Sequence, residues 1–531
     1  MSSTSPSFLA LLGDIRHMAA FSLICALVLL IVLQRRLQRR PSPDGQKVVP
    51  IPNVASRKWY EPSAIAFARQ PYDWLRDSQS RYGDVFGMSL GAFRVVWLTG
   101  PEAPEIIFRA EEDTLSFHKA IEPNINKLFP IRQLQQPWIN YLVGGMTHRK
   151  HGKHFAQCVL DSTESEMAKW VRETQTIGST DLFKASFDVM SLIISKYAFG
   201  EEFTTSKHGS EICYLIFQFD ALMGDTAVMA TPKWAFWTKG NRAIKAHRQR
   251  FYEITNAELQ RRLTNPELYR DNDDYLQYLI KKDKLERVDD YLTHILVIYF
   301  ASTINTSTTL GWALAQTAQS KRIQARLRDE LASLGITAES FTDAKLNGTE
   351  EELLSVLEHS SYLYGISHES MRLRPSPFLV QKAMKDVRYG EHIVEKGALL
   401  TMAPPVINRN PAVFPCPDEF VPERFSDNAP ADVRSPAGYN ISNIFTPWGL
   451  GRRRCKGEKL AAMVIHTTLA RMVLFNEASI EGEPTELSMN PVTGRENIVP
   501  IAPQLQKIFG PPHSAERCGL RLVERSDHES G

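Results

Sequence analysis

Apolar positions are distributed unevenly along this chain. Met18–Leu33 is an unbroken apolar run of sixteen residues, MAAFSLICALVLLIVL, followed by Arg35, Arg36, Arg39 and Arg40. The run is short against the ~20 residues that usually span a bilayer, but flanking arginines snorkel and short spans adjust locally. A cleaved signal peptide carries its positive charge before the run and a small-residue site after it, the reverse of this order. Residues 18–34 are therefore expected to be a retained transmembrane anchor behind a short segment, 1–17. The positive-inside rule then places everything after Arg40 in the cytosol. Residues 35–54, basic and then rich in Pro, read as a stiff linker.

Further along, periodicity predicts a helix near Pro71–Tyr82 and a hairpin of Val85–Leu90 with Val95–Thr99 joined at Gly91. Residues 165–285 are mostly helical in pattern, with a long polar-faced helix over Asn241–Leu263. Before it, Trp234, Phe236 and Trp237 form an aromatic turn that is either core or a membrane-touching lid. Asp289–Gln319 is a long helix on which Leu292, Leu296, Tyr299, Thr303, Thr306 and Leu310 share one stripe. Its centre, STINTSTT at 302–309, is crowded with side chains that compete for backbone hydrogen bonds, which marks a functional site or helix–helix hydrogen bonding. A last clean helix covers Glu458–Leu474, and the tail over 511–531 is polar and, from His513, expected to be disordered.

Composition narrows the picture only modestly. With 531 residues and a net charge of +2, the chain has ample length for a large core and no overall charge that implies nucleic acid. Its six cysteines, at 25, 158, 213, 416, 455 and 518, show no paired spacing, which argues against a disulfide framework or zinc site.

One cysteine has a distinctive address. In FTPWGLGRRRCKG, 445–457, Cys455 follows a loop rich in Gly and Arg and directly precedes the Glu458–Leu474 helix. Unpaired N–H groups and the helix dipole favour a thiolate there. The surroundings fit a haem iron held by sulfur: Gly451 and Gly457 permit tight backbone, Arg453 is a propionate partner, and Trp448 covers the sulfur. The plain alternative is a basic surface loop with an incidental cysteine. A Walker-type phosphate loop is excluded because Glu458 follows Gly457.

The stretch resembles the cysteine-ligand loop of the cytochrome P450 family, Phe-x-x-Gly-x-Arg-x-Cys-x-Gly. Gly451, Arg453, Cys455 and Gly457 match, and Trp448 stands where Phe is usual. The resemblance covers about 55–510 and implies a mainly α, single-domain P450 fold with a small β region, preceded by the transmembrane helix. It implies haem b, ligated by Cys455. Glu369 and Arg372 match the family's Glu-x-x-Arg, and Arg424 lies in the later Pro-Glu-Arg-Phe; by resemblance the three form a buried charge cluster that fixes the Cys455 loop. Phe378, Leu379 and Thr303 are implied to line the substrate space, and Lys382 to face a propionate. The family's Trp-x-x-x-Arg is represented by His148 and Gly152, leaving Arg149, Lys150 or Lys153 as substitutes.

By the same resemblance, the Asp289–Gln319 helix passes over the haem. Aligned on the family's acid and alcohol, Thr306 keeps the alcohol while the acid is Asn305. An amide releases no proton as a carboxyl does. With Trp312, the motif is similar to that of the sterol 7-hydroxylase and prostacyclin synthase branch, which holds both a monooxygenase and an isomerase. The leading expectation is an O2-dependent monooxygenase acting on a lipophilic, terpenoid or meroterpenoid-like secondary metabolite. It is expected to be a monomer in the endoplasmic reticulum membrane, supplied with electrons by a separate NADPH-cytochrome reductase docking on Arg452, Arg454, Lys456 and Lys459. The alternatives are an O2-independent haem-thiolate isomerase or dehydratase, and a non-catalytic haem-binding protein.

Overall fold

The computed structural model describes residues 49–54, 63–90, 93–129, 149–224, 228, 231, 233–282, 287–375, 379–426, 428–482, 487–498 and 518–525. The apolar run 18–33, most of the linker, His148 and Phe378 lie outside these residues. Among the described residues no helix is long and apolar enough to cross a membrane.

The chain divides into a small unit, residues 1–51 with 388–393, and a large one, 52–387 with 394–531. In the small unit the Val49 amide donates to the Glu391 carbonyl over 3.0 Å. The rest of the description concerns the large unit, apart from the strands of 387–389 and 392–394, which lie mostly in the small one.

Alternating residues set its main sheet. β1 (Val85–Leu90) and β2 (Phe93–Leu98) form the expected hairpin, with Val85 opposite Leu98 and Leu90 opposite Phe93. The short β3 (Leu115–Ser116) and β4 (Thr180–Asp181) follow. β5 (Val380–Ala383), β6 (Val387–Tyr389), β7 (His392–Val394) and β8 (Leu399–Met402) come after the long helices. The five-stranded order is β1-β2-β8-β5-β3. Lys382 on β5 therefore sits opposite Ser116 on β3.

Five helices position the site: α1 (Arg149–Ile177), α2 (Leu182–Phe199), α3 (Val288–Gln319), α4 (Ser361–Leu373) and α5 (Glu458–Phe475). α3 and α2 pack closely because Gly311 has no side chain. A Cβ there would lie 2.7 Å from the Phe183 ring, whose edge meets Trp312 with centroids 4.9 Å apart. Arg374 covers Trp312, its guanidinium carbon 4.5 Å from the ring centre. Lys239–Thr264 forms the expected long polar-faced helix.

The expected disordered tail needs correction. β10 (Gly519–Glu524) pairs antiparallel with β9 (Asn476–Ile480) and with β4. Leu520 and Leu522 are buried while Arg521 and Val523 face out, the period of two that a half-buried strand requires. So short an alternation is easily passed over inside a polar stretch.

Candidate functional site

The Cys455 loop is a tight backbone construction. The Cys455 amide donates to the Trp448 carbonyl over 2.6 Å, closing the loop on itself. That closure needs left-handed backbone at Gly449 (φ +76°) and Gly451 (φ +58°). Gly449 is the more constrained of the two, since a Cβ would stand 2.5 Å from the Arg453 carbonyl oxygen. Its signal lay in the Pro-Trp-Gly run, but the sequence reading credited Gly451 and Gly457 instead. Gly457 has an ordinary φ of −88°, and a Cβ on it would lie 3.9 Å from the Cys455 sulfur.

α5 starts at Glu458 without a side-chain cap, so its first N–H groups are available to other acceptors. Those of Gly457 and Glu458 point at the Cys455 sulfur, which is accessible. The surrounding protein nevertheless desolvates the thiol enough to push its pKa up, and the two N–H groups only partly oppose this. The helix start alone therefore does not make Cys455 a thiolate. A coordinated cation deprotonates such a thiol outright. An accessible sulfur with two N–H groups aimed at it, on a loop clear of side chains at Gly449, fits an iron-bound haem thiolate.

Arg453 reaches away from the loop. Its guanidinium donates to the carbonyls of Ile107 and Leu115 and pairs with Glu112 at 3.3 Å. Desolvation lowers its pKa against the opposing Glu112 charge. Since Leu115 belongs to β3, opposite β5, Arg453 and Lys382 converge on one strand pair. The half-buried Trp448 borders a cavity of about 190 Å³ with Gly449 and Arg453, and Met371, Leu379 and Met402 also line it. Of the cations expected to meet an acidic partner, Arg452 pairs with Glu111, and Arg454 pairs with Glu458 at 2.6 Å. Lys456 and Lys459 are exposed.

The charge cluster is buried and densely hydrogen-bonded. Glu369 and Arg372 are both 0% exposed, one helical turn apart on α4. Arg372 donates twice to Glu369, each over 2.7 Å, and to the carbonyls of Asn408, Pro417 and Glu419. Arg424 joins Glu369 at 3.2 Å and holds the carbonyls of Pro415, Cys416 and Val433. Burial pushes the Glu369 carboxyl up, but Arg372, Arg424 and the Val421 N–H outweigh it, and the net shift is downward. The cluster reaches the Cys455 loop through rings: Phe425, next to Arg424, lies 5.0 Å from Phe445, the first residue of the loop stretch. His368 of α4 lies 6.1 Å from the same Phe445.

On α3 the candidates separate. Leu292, Leu296, Tyr299, Thr303, Thr306 and Leu310 are all buried, as their shared stripe requires. Asn305 is exposed, as is Ala301 one turn before it, while Ile304, Thr308 and Thr309 are half-buried. Ser307 donates to the Ile304 carbonyl and Thr309 to the Asn305 carbonyl, each over 3.0 Å. Thr303 and Thr308 keep buried hydroxyl oxygens with no hydrogen-bond partner among the described residues. The structure thus places Thr306 and Asn305 on different faces of α3.

Comparison with known proteins agrees with this geometry. The family model "Cytochrome P450" matches residues 45–492. Cytochrome P450 monooxygenase pyvB of Aspergillus violaceofuscus is 22% identical over 455 residues, covering 84% of this chain and 87% of that protein. Indoleacetaldoxime dehydratase of Arabidopsis thaliana is 22% identical over 487 residues, covering 87% and 92%. Among solved structures, retinoic acid bound cyanobacterial CYP120A1 superposes with a TM-score of 0.64 at 16% identity, over 90% of this chain and 100% of the other, which shows the fold alone.

Proposed function

Since this chain belongs to the cytochrome P450 family, a family of haem-thiolate monooxygenases, we propose that it oxidises a lipophilic secondary metabolite of terpenoid or meroterpenoid type, using O2 and electrons from a separate NADPH-cytochrome reductase. The observation that carries this reading is the Cys455 sulfur: accessible, faced by two N–H groups, on a loop closed at Trp448. When bound there, haem supplies the oxygen and electron chemistry. The protein residues hold, shield and orient it. Cys455 would hold its iron, Trp448 would screen the sulfur, and Arg453 with Lys382 would face its propionates. Leu379, with Met371 and Met402, offers apolar lining suited to a lipophilic molecule.

The exposed Lys456 and Lys459 give a docking reductase positive charge beside the thiolate. Membrane attachment rests on the apolar run 18–33 and the arginines behind it, which favour a single-pass anchor in the endoplasmic reticulum with the catalytic body in the cytosol. The solvent-facing Trp234, Phe236 and Trp237, 69%, 72% and 58% exposed, support contact between the body and the same membrane. The protein acts as a monomer.

The decisive experiment supplies reductase, NADPH and isotopically labelled O2 to extracts of a host strain in which the gene is deleted, with mass spectrometry of the products. One labelled oxygen in a product restored by the protein supports the reading. Product formed without O2 or NADPH overturns it in favour of a dehydratase or isomerase, the reading that Asn305 in place of an acid supports.

A further inference from the structure

We propose that Glu112 is a positioning residue at the cofactor edge of the site: it orients the Arg453 guanidinium and sets the charge that Arg453 offers to a haem propionate. This deepens the haem-thiolate reading above and rests on it. Arg453 borders the cavity that Trp448 and Gly449 also line, and its side chain is only 15% exposed. It grips one short segment of chain at three points. Nη1 donates to the Ile107 carbonyl, and Nη2 donates to the Leu115 carbonyl and, over 3.3 Å, to Glu112 Oε2. Glu112 lies between the two carbonyls in sequence, so the guanidinium closes the segment 107–115 onto the Cys455 loop.

The second Glu112 oxygen serves a different element. Oε1 accepts from the Ser116 hydroxyl and, over 3.3 Å, from the His118 amide, and it lies 2.9 Å from His118 Nδ1. Ser116 in turn caps the helix Phe117–Leu128 by accepting from the Lys119 amide over 3.0 Å, and it sits opposite Lys382 across β3 and β5. One carboxylate therefore ties Arg453 to the start of that helix and to the strand pair that carries Lys382. Burial pushes the Glu112 carboxyl up, but Ser116 and His118 outweigh it, and the net shift is downward. Glu112 is thus a full negative charge at neutral pH.

An arginine has five N–H groups. Three of those on Arg453 are held by the protein, while one on Nε and one on Nη1 have no partner among the described residues. Those two remain for a propionate, and a guanidinium already held in place loses less freedom in binding it. The Glu112 charge also cancels part of the Arg453 charge at short range. Reduction adds an electron to the haem, so taking a negative charge from this edge favours the ferrous form.

The test compares Glu112→Gln, Glu112→Asp and Asp113→Asn as ferric holoproteins. Asp113 supplies the control: it is the next residue, carries the same charge and pairs on the surface with Lys385 at 3.3 Å. Resonance Raman of the propionate bending bands and a dye-coupled reduction titration read the cofactor edge, and transfer of haem to apomyoglobin reads retention. Glu112→Gln is expected to shift the propionate bands, raise the reduction potential and release haem about tenfold faster, the equivalent of one charge-assisted hydrogen bond. Glu112→Asp keeps the charge and should restore the potential, and Asp113→Asn should match the wild type throughout. Wild-type bands and potential in Glu112→Gln, even with faster haem loss, would reduce Glu112 to a structural role and overturn the proposal. An equal shift in Asp113→Asn would overturn it too. The carbon monoxide difference spectrum of the same samples reports the haem-thiolate reading separately, so a failure of one is not mistaken for a failure of the other.

Discussion

Around Glu369, Arg372 alone makes five hydrogen bonds and Arg424 four, to a carboxylate and to the carbonyls of one long loop. On α3, by contrast, Ser307 and Thr309 donate to their own helix backbone, and the hydroxyl oxygens of Thr303 and Thr308 have no partner among the described residues. One region uses nearly all of its polar groups to fix a chain segment. The other leaves two buried hydroxyls without a partner among the described residues. The difference separates scaffold from site more sharply than burial does, since both regions contain fully buried polar atoms.

The contrast is most severely tested at Glu369. Glu369→Ala strands Arg372 and Arg424 as buried, uncompensated cations, and the expected loss is ~3–5 kcal/mol, read by urea denaturation together with haem content. Retained stability and haem would show that the carbonyls alone hold the loop. Next in size is Gly449→Ala, which sets a Cβ against the Arg453 carbonyl at a left-handed position and is expected to lower stability by ~1–3 kcal/mol. Its haem should be released more readily, as dialysis against apomyoglobin would show.

A smaller effect concerns acid. Glu369 titrates below its ordinary value, so its stabilisation is present above the usual glutamate range and is lost as pH falls through the depressed value. Burial likewise pushes His368 down to about 4, and burial with the neighbouring His368 pushes His466 down to about 3. Both stay neutral in the fold while the unfolded chain takes up protons below ~6.5. Stability should therefore decline as pH falls from there toward 4, and the slope should be shallower in His466→Asn. An unchanged slope would remove the His466 contribution. The smallest effect is expected on α3: Thr308→Val deletes an unpartnered hydroxyl and should shift stability by less than ~1 kcal/mol in either direction. A larger loss would mean that this hydroxyl is structural after all, and the contrast would fail.

Much of this was legible in the sequence, for reasons that differ by element. The β1–β2 hairpin and the boundaries of α3 and α5 follow from period and turn chemistry. Glu369, Arg372 and Arg424 are individually commonplace and gained meaning only through their order relative to Cys455. The requirement at Gly449 was written in Pro-Trp-Gly but depends on where the Arg453 carbonyl returns, a long-range fact. β10 escaped notice because a strand of six residues needs partners that only the fold supplies. Thr306 is buried, as the stripe it shares with Leu292 and Leu310 implied, whereas its role came only from aligning its hydroxyl with the family's alcohol.

The central claim is that Cys455 is the axial ligand of a haem thiolate, and the carbon monoxide difference spectrum of the reduced protein tests it most directly. The wild type should show the band from which the family takes its name, and Cys455→Ser should lose it. A band that persists in Cys455→Ser would place the ligand elsewhere and contradict the account.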